Sequence, residues 1–251
     1  MISKSEIKKI RSLNTKKGRG LHRLIVIEGK RLIEQVLESN YNIDKVWTTE
    51  EFNSKNPNLI KKLSKTHTDL ISIQDLNKIT TTQNCSGIIG VMKPPTGNIQ
   101  NMDERIIILD NIADPGNLGT ILRTANWFGV SNILLSEGCV DPYNPKVVRS
   151  AMGAHFSMNI ASVRIDQGIK ELQKNNFEII AADLNTDNSI KDLKVASNQW
   201  ALLMGSEAHG LSESISSMAD YKIKIPQVGE IESLNVSVAC GIFLYHISGI
   251  K

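Results

Sequence analysis

The chain has 251 residues, 41% of them hydrophobic and 22% charged, with a net charge of +3, a profile that fits a folded protein of one large or two ordinary domains and excludes disordered and collagen-like classes. No run approaches the roughly 18 apolar residues of a membrane span, and no apolar stretch follows the charged start, so a cytoplasmic protein without a membrane partner is expected. Three cysteines, Cys85, Cys139 and Cys240, are odd in number and far apart, which suggests neither a disulfide framework nor a metal site.

Charge is unevenly spread: residues 1–34 hold ten Lys/Arg against three acids. Such a basic end attracts polyanions by neutralising phosphates, which makes nucleic acid the partner to consider. On charge alone a solvated basic face explains it equally well.

In chain order, Ile7, Ile10 and Leu13 have helical spacing, and the two glycines of "TKKGRG" are expected to break that helix. "RLIVIEG" reads as a buried strand, "KRLIEQVLES" as a helix with one apolar stripe, and "IDKVWTT" as a strand. A helix near 58–63, a strand at "DLISI", a helix starting near 73–75 and a strand at "GIIGVM" complete an α/β layer structure. "KPPTGNIQNMDE", with two prolines and a glycine, reads as a linker. The expected domains are therefore 1–95 and 105–251, joined by 96–104.

The second domain opens on "RIIILDNI", a continuous apolar run suited to a strand buried on both faces. "NLGTILRTANWFG" is helical and stops at Gly129. "SNILLS", "FEIIAAD", "WALLMG" and "YKIKIP" are strands, with helices near 169–175 and 233–246. This pattern predicts a mostly parallel sheet.

Ligands of open α/β sheets bind beyond the carboxyl ends of the strands, and three such ends are polar or glycine-rich. In "DNIADPGNLGTILRTANWFG", Asn117 stands where a helix begins, as a possible cap, and Arg123 lies among apolar neighbours that argue against a plain solvent position. In "LLMGSEAHGLS", Gly205 permits a close backbone approach to a ligand and Glu207 follows it. In "IPQVGEIESLNVS", Ser233 reads as the cap of the last helix, and a cap leaves Asn235 unexplained. The small residues Ser237, Ala239, Cys240 and Gly241 behind it suit tight packing. His209 has no second ligand at metal spacing. No dinucleotide fingerprint, P-loop or nucleophile elbow occurs, which disfavours a nucleotide-binding enzyme of the common kinds.

In this order and spacing, "NLGTILRTANWFG", "LLMGSEAHGLS" and "IPQVGEIESLNVSVACGIFLY" resemble the three motifs of the SpoU (TrmH) family of RNA 2′-O-ribose methyltransferases, within the SPOUT superfamily. The first 95 residues resemble that family's ribosomal-protein-like substrate-binding module. The resemblance implies a C-terminal trefoil-knotted, mostly parallel sheet with helices on both faces, plus a smaller N-terminal α/β RNA-binding domain. It also implies S-adenosylmethionine as methyl donor, no metal, and a homodimer formed through the catalytic domain. Matched position by position, the catalytic set is Asn117, Arg123, Glu207, Ser233 and Asn235, and the donor-binding set is Met204, Gly205, Ile225 and Leu234. The two-domain arrangement is more like rRNA-directed members than single-domain tRNA ones. A tRNA methyltransferase and a catalytically silent RNA-binding assembly factor stand as alternatives. In the family the motif Arg is proposed as the base; because a guanidinium stays protonated in proteins, its expected role here is at the target phosphate or the developing alkoxide.

Overall fold

A computed structural model describes residues 2–82, 85–102, 104–195 and 197–248. The expected bounds at 1 and 251, and Asp103 within the 96–104 linker, lie outside the described residues. The first half holds α1 (Lys4–Ser12), α2 (Lys16–His22), β1 (Ile25–Glu28), α3 (Lys30–Glu38), β2 (Ile43–Thr48), α4 (Glu50–Lys55), α5 (Pro57–Lys62), β3 (Thr68–Leu70), α6 (Ile73–Leu76) and β4 (Ile88–Met92). After a short 3-10 turn come β5 (Arg105–Leu109), α7 (Pro115–Trp127), β6 (Asn132–Leu135), α8 (Pro145–Ser150), β7 (Asn159–Ser162) and α9 (Ile165–Lys174). The chain continues with β8 (Glu178–Ala182), β9 (Trp200–Met204), α10 (Glu213–Ser216), β10 (Tyr221–Ile223) and α11 (Val236–Ile247). The chain divides into two compact units, Met1–Pro95 with Asp141–Phe156, and Thr96–Val140 with Ser157–Lys251.

In the first unit the strands are ordered β1-β4-β2-β3, with β4 antiparallel to β1 and β2, and β2 parallel to β3. Side chains alternate across a strand, so β1 sends Ile25 and Ile27 into one core with Leu32, Ile33 and Val36, and Val26 into a second with Ile10, Leu13 and Leu76. Both faces of this sheet are covered. α1 ends at Ser12 with Leu13 as its cap, near the expected break, but the glycines of "TKKGRG" do not make it: they lie within α2. Thr15 accepts from the Gly18 N–H and caps α2, and a Cβ on Gly18 would stand 2.0 Å from the Ser12 carbonyl oxygen. That glycine serves a close approach of chain to chain.

Residues 141–156, assigned from the sequence to the second domain, pack with the first unit. Arg19 Nε donates to Asp141 at 2.9 Å with both groups largely buried, and Val148 and Phe156 join the core around Ile33. The sequence showed α8 as apolar residues without their partners, so the helix passed unnoticed.

The second unit holds six strands in the order β10-β8-β9-β5-β6-β7, every pair parallel. β5, the continuous apolar run, lies between β9 and β6, as a strand buried on both faces should. Ile106 and Ile108 enter a core with Leu134, Ile169, Ile179 and Leu203, while Ile107, Leu109 and Met204 are buried on the alternate positions. α7 and α11 pack on each other. Gly241 of α11 would place a Cβ 3.6 Å from Thr124 Cγ2 of α7, so this glycine of the last helix faces α7. From β5 the chain runs outward through β6 to β7, then crosses to the other side of the sheet. The reversal falls beside β5, where β9 is its other neighbour, and such a switch point opens a crevice at the carboxyl ends of the strands.

Candidate active site

Three chain segments leave the sheet at this crevice. After β5, the Asp110 N–H donates to the Met204 carbonyl at 2.9 Å, joining the ends of β5 and β9. The turn that follows is held by Asn111 N–H to Ser136 Oγ at 2.9 Å and Ile112 N–H to Cys139 Sγ at 3.3 Å. Asp114 caps α7 by accepting the Asn117 N–H at 2.8 Å, and Pro115 occupies the first helical turn, where its missing N–H costs nothing. Asn117 is therefore not the cap. It sits one turn inside, and its side chain is free to reach elsewhere.

β9 ends at Met204, which is 2% exposed. Gly205 is buried, and a Cβ there would stand 2.2 Å from the Gly210 carbonyl carbon and 2.4 Å from the Leu211 nitrogen. Its first reason to be glycine is thus the return of its own loop. Ser206 and Gly210 exchange both backbone hydrogen bonds, at 3.1 and 2.9 Å, and the turn between them holds Glu207 out at the surface.

After β10, Ile225 is half-buried, and Gln227 Nε2 donates to the Gly229 and Ile231 carbonyls at 2.7 and 2.8 Å, bracing the loop. Leu234 is 52% exposed, and Val228 and Ile231 are exposed with it. The cap of α11 is Asn235, not Ser233: its Oδ1 accepts from the Ser237 N–H at 2.9 Å, the Ser237 hydroxyl at 2.6 Å and the Val238 N–H at 3.4 Å. The helix consequently begins at Val236, later than the apolar pattern suggested.

One chain of side-chain hydrogen bonds connects the three segments. Asn235 Nδ2 donates to Asn117 Oδ1 at 2.9 Å, and Asn117 Nδ2 donates to Glu207 Oε1 at 2.9 Å. Every amide orientation in it is determined, because Glu207 only accepts and Asn235 has committed its oxygen to the helix. Left over for a ligand are Glu207 Oε2 and the second N–H of each amide. Arg123 and Ser233 stand outside this chain: both are exposed, and among the described residues neither makes a hydrogen bond or ion pair. The apolar neighbours Ile121, Leu122 and Ala125 are indeed buried, but Arg123 points away from them, which corrects the expectation of a sheltered guanidinium.

Sequence reasoning passed over Asp114 and took Ser237 for a packing residue, and it missed Gln227. The first carried a readable signal, an Asp-Pro pair opening an apolar helical pattern. The other two act by bracing a loop and an amide, which leaves no mark in a pattern. Among the described residues no three His, Cys, Asp or Glu gather as a metal site.

Residues 104–245 match the SpoU rRNA Methylase family, and residues 4–90 match the MRM3-like substrate binding domain. The chain is 28% identical to a 23S rRNA (guanosine(2553)-2′-O)-methyltransferase of Bacillus subtilis, over 97% of this chain and 96% of that one. It is 30% identical to an uncharacterized tRNA/rRNA methyltransferase of Synechocystis, over 95% and 89% of the two chains. The crystal structure of an AdoMet-bound rRNA methyltransferase from Sinorhizobium meliloti is 27% identical and superposes with a TM-score of 0.89, covering 98% of this chain and 95% of that one.

Proposed function

The chain belongs to the SpoU rRNA Methylase family, and from that premise we propose that it transfers a methyl group from S-adenosylmethionine to a ribose 2′-hydroxyl of RNA, with 23S-type rRNA as the substrate. The observation that carries the active-site assignment is the hydrogen-bond chain Glu207–Asn117–Asn235, which ties together three segments that the family motifs single out separately.

The residues present suit that donor. Leu234, Val228 and Ile231 offer an exposed apolar wall along the loop after β10, fit for an adenine ring and methylene groups. The backbone at Met204–Gly205 and Ile225 offers N–H and carbonyl groups at strand ends. The Met204 side chain is buried, so its share is made by main chain alone. When bound, S-adenosylmethionine supplies a methyl group on a positively charged sulfur.

What the protein does is alignment and proton placement. Asn117 and Asn235 present their remaining N–H groups, and Glu207 Oε2 accepts a hydrogen bond from a ribose hydroxyl, so together they fix a ribose against the donor wall. Holding two reactants in line is worth roughly 7–11 kcal/mol in favourable cases. Arg123, exposed and without a hydrogen bond or ion pair among the described residues, takes the phosphate beside the target ribose or the alkoxide that develops on it. Ser233, at the corner before Leu234 and Asn235, supplies a further hydroxyl to the same ligand.

Residues 1–95 are read as the RNA-capturing part and 105–251 as the catalytic part. Two further features belong to this assignment. The C-terminal segment closes the family's trefoil knot, and the close seat of α11 on α7 supports such a return of the chain. The protein is a homodimer in the cytoplasm: Val238, Ile242 and Tyr245 form an exposed apolar stripe along α11, which a second copy would cover. No described helix is long and apolar enough to cross a membrane.

Transfer of labelled methyl groups to rRNA and tRNA, followed by mapping of 2′-O-methyl positions with and without the protein, tests the function. A single modified ribose in 23S rRNA is the expected result. Donor binding without transfer to any RNA would instead indicate a silent factor.

A further inference from the structure

In the first unit, the buried Glu28 at the end of β1 is surrounded by donors. Its Oε1 accepts from the hydroxyls of Thr80 and Thr82, the latter at 2.7 Å, and its Oε2 accepts the Thr81 N–H at 3.0 Å and the Thr81 hydroxyl at 2.8 Å. Hydrogen bonds to a carboxylate are among the stronger ones, so three consecutive threonines are pinned to one group. Thr81 Oγ1 in turn accepts from Arg149 Nη1 at 2.7 Å, which fixes the direction of a guanidinium carried on α8. These threonines line a cleft of about 570 Å³ together with Asn14, Asn77, Asn144, Lys146 and Arg149. Among the described residues that line it, two side chains are cationic and none is acidic. The remaining ones carry amides or hydroxyls, apart from a single proline. Beyond Asn14 and the cap Thr15, Lys16 and Lys17 are exposed on the first turn of α2.

We propose that this cleft grips the RNA backbone, with Arg149 and Lys146 on phosphates and the asparagine and threonine side chains on ribose hydroxyls and base edges. A planar, pre-oriented guanidinium suits a phosphate in two-point contact. Neutral amides and hydroxyls suit the 2′-hydroxyl, which both donates and accepts. The inference rests on RNA being the substrate. It goes beyond the match of residues 4–90 because its two cations come from residues 141–156, a segment of the second half of the sequence that has joined the first unit.

Filter binding of the full chain to a radiolabelled 23S rRNA transcript over a sodium chloride series tests it, using wild type, Lys146→Ala and Lys146→Ala/Arg149→Ala. Each lost phosphate contact lowers the slope of log affinity against log salt by about 0.7–0.9, so the double variant is expected to lose about 1.4–1.8, with affinity at moderate salt about tenfold weaker. Calorimetry with S-adenosylmethionine should give the wild-type affinity in every variant. Because Lys146 is exposed, Lys146→Glu carries the test if the Arg149 variant fails to fold. Folded variants with the wild-type slope and affinity would overturn the cleft as an RNA site. Wild-type protein that binds S-adenosylmethionine but no RNA would overturn the RNA assignment itself, an outcome already visible before any variant is made.

Discussion

Asn235 donates to Asn117 Oδ1 at 2.9 Å, and that bond fastens the start of the last helix to a residue 118 positions earlier. The opposite edge of the Asn117 amide donates to Glu207, so one side chain is oriented from two directions. Asn235→Asp separates this task from helix capping. An aspartate caps as well as an asparagine, but it would set an acceptor against Asn117 Oδ1, and turning the Asn117 amide would then set its oxygen against Glu207. The variant is expected to melt near the wild-type temperature while kcat/KM falls at least about 100-fold, roughly 2.7 kcal/mol at the barrier. Asn235→Ala, which also removes the cap, should lose about 1 kcal/mol of stability besides. Full activity in the Asp variant would show that the chain of amides does not position the substrate.

Arg123 makes no hydrogen bond or ion pair among the described residues, so its replacement should leave the fold alone. Arg123→Lys is expected to change stability by less than about 0.5 kcal/mol and to lower methyl transfer about 100-fold or more, since lysine keeps the charge without the planar fork. Single-turnover transfer with labelled donor reads the effect. Near-normal transfer by the lysine variant would rule out a specific guanidinium role.

Gly205 is required by its neighbours, not by its dihedral angles. An added Cβ would meet the backbone of Gly210 and Leu211 at 2.2–2.4 Å, and backbone cannot rotate aside. Gly205→Ala should therefore cost about 1–3 kcal/mol and shift the strand end that the donor is expected to contact, weakening S-adenosylmethionine binding at least tenfold by calorimetry. Gly229→Ala is the control, because nothing lies within 4 Å of its added Cβ. Equal donor affinity in the two variants would remove Gly205 from the donor site.

The central strands were legible because each is a short apolar run. "RIIILDNI" became β5 and "WALLMG" became β9, at the centre of the parallel sheet. What sequence could not show depended on partners distant along the chain. Asn117 passed for a cap until Asp114 was seen to hold that place, and Ser233 for a cap until Asn235 did. α8 and β7 were missed because Val147, Val148 and Ile160 occur in segments too short for a period to emerge. The segment 141–156 lost its domain for the same reason: Arg19, which fixes Asp141, is 122 residues away. The candidate site residues were read from family motifs, whereas the bonds joining them depend on the fold.

His155 is wholly buried, its Nε2 2.7 Å from the Pro142 carbonyl and its Nδ1 without a hydrogen-bond partner among the described residues. Burial pushes its pKa down to about 4 from the usual 6.5, against the opposing pull of the Pro142 carbonyl and Asp141. The unfolded chain therefore takes up this proton at a higher pH than the folded one, so the stabilisation is complete above about pH 6.5 and lost as pH falls toward 4. The loss amounts to about 3 kcal/mol at 1.36 kcal/mol per unit. His155→Phe, beside the rings of Tyr143 and Phe156, should flatten the urea-unfolding free energy across that range relative to wild type. Parallel pH profiles for the two proteins would place the acid sensitivity elsewhere.

Val238, Ile242 and Tyr245 are spaced as one face of α11 and are 51%, 37% and 65% exposed, while Cys240, Phe243 and Leu244 on the other side are buried. A helix apolar all round belongs inside a structure, and the inner face already has α7 against it. The proposed homodimer covers the outer face, because a symmetric pair of chains supplies an identical stripe to each copy. Wild type is expected to sediment at twice the mass of one chain at micromolar concentration. Ile242→Glu would bury a charge at the centre of that contact, at a cost no unpaired carboxylate recovers, and should sediment as a monomer with its far-ultraviolet spectrum unchanged. A monomeric wild type, or a variant that still pairs, would exclude this helix face as the dimer contact.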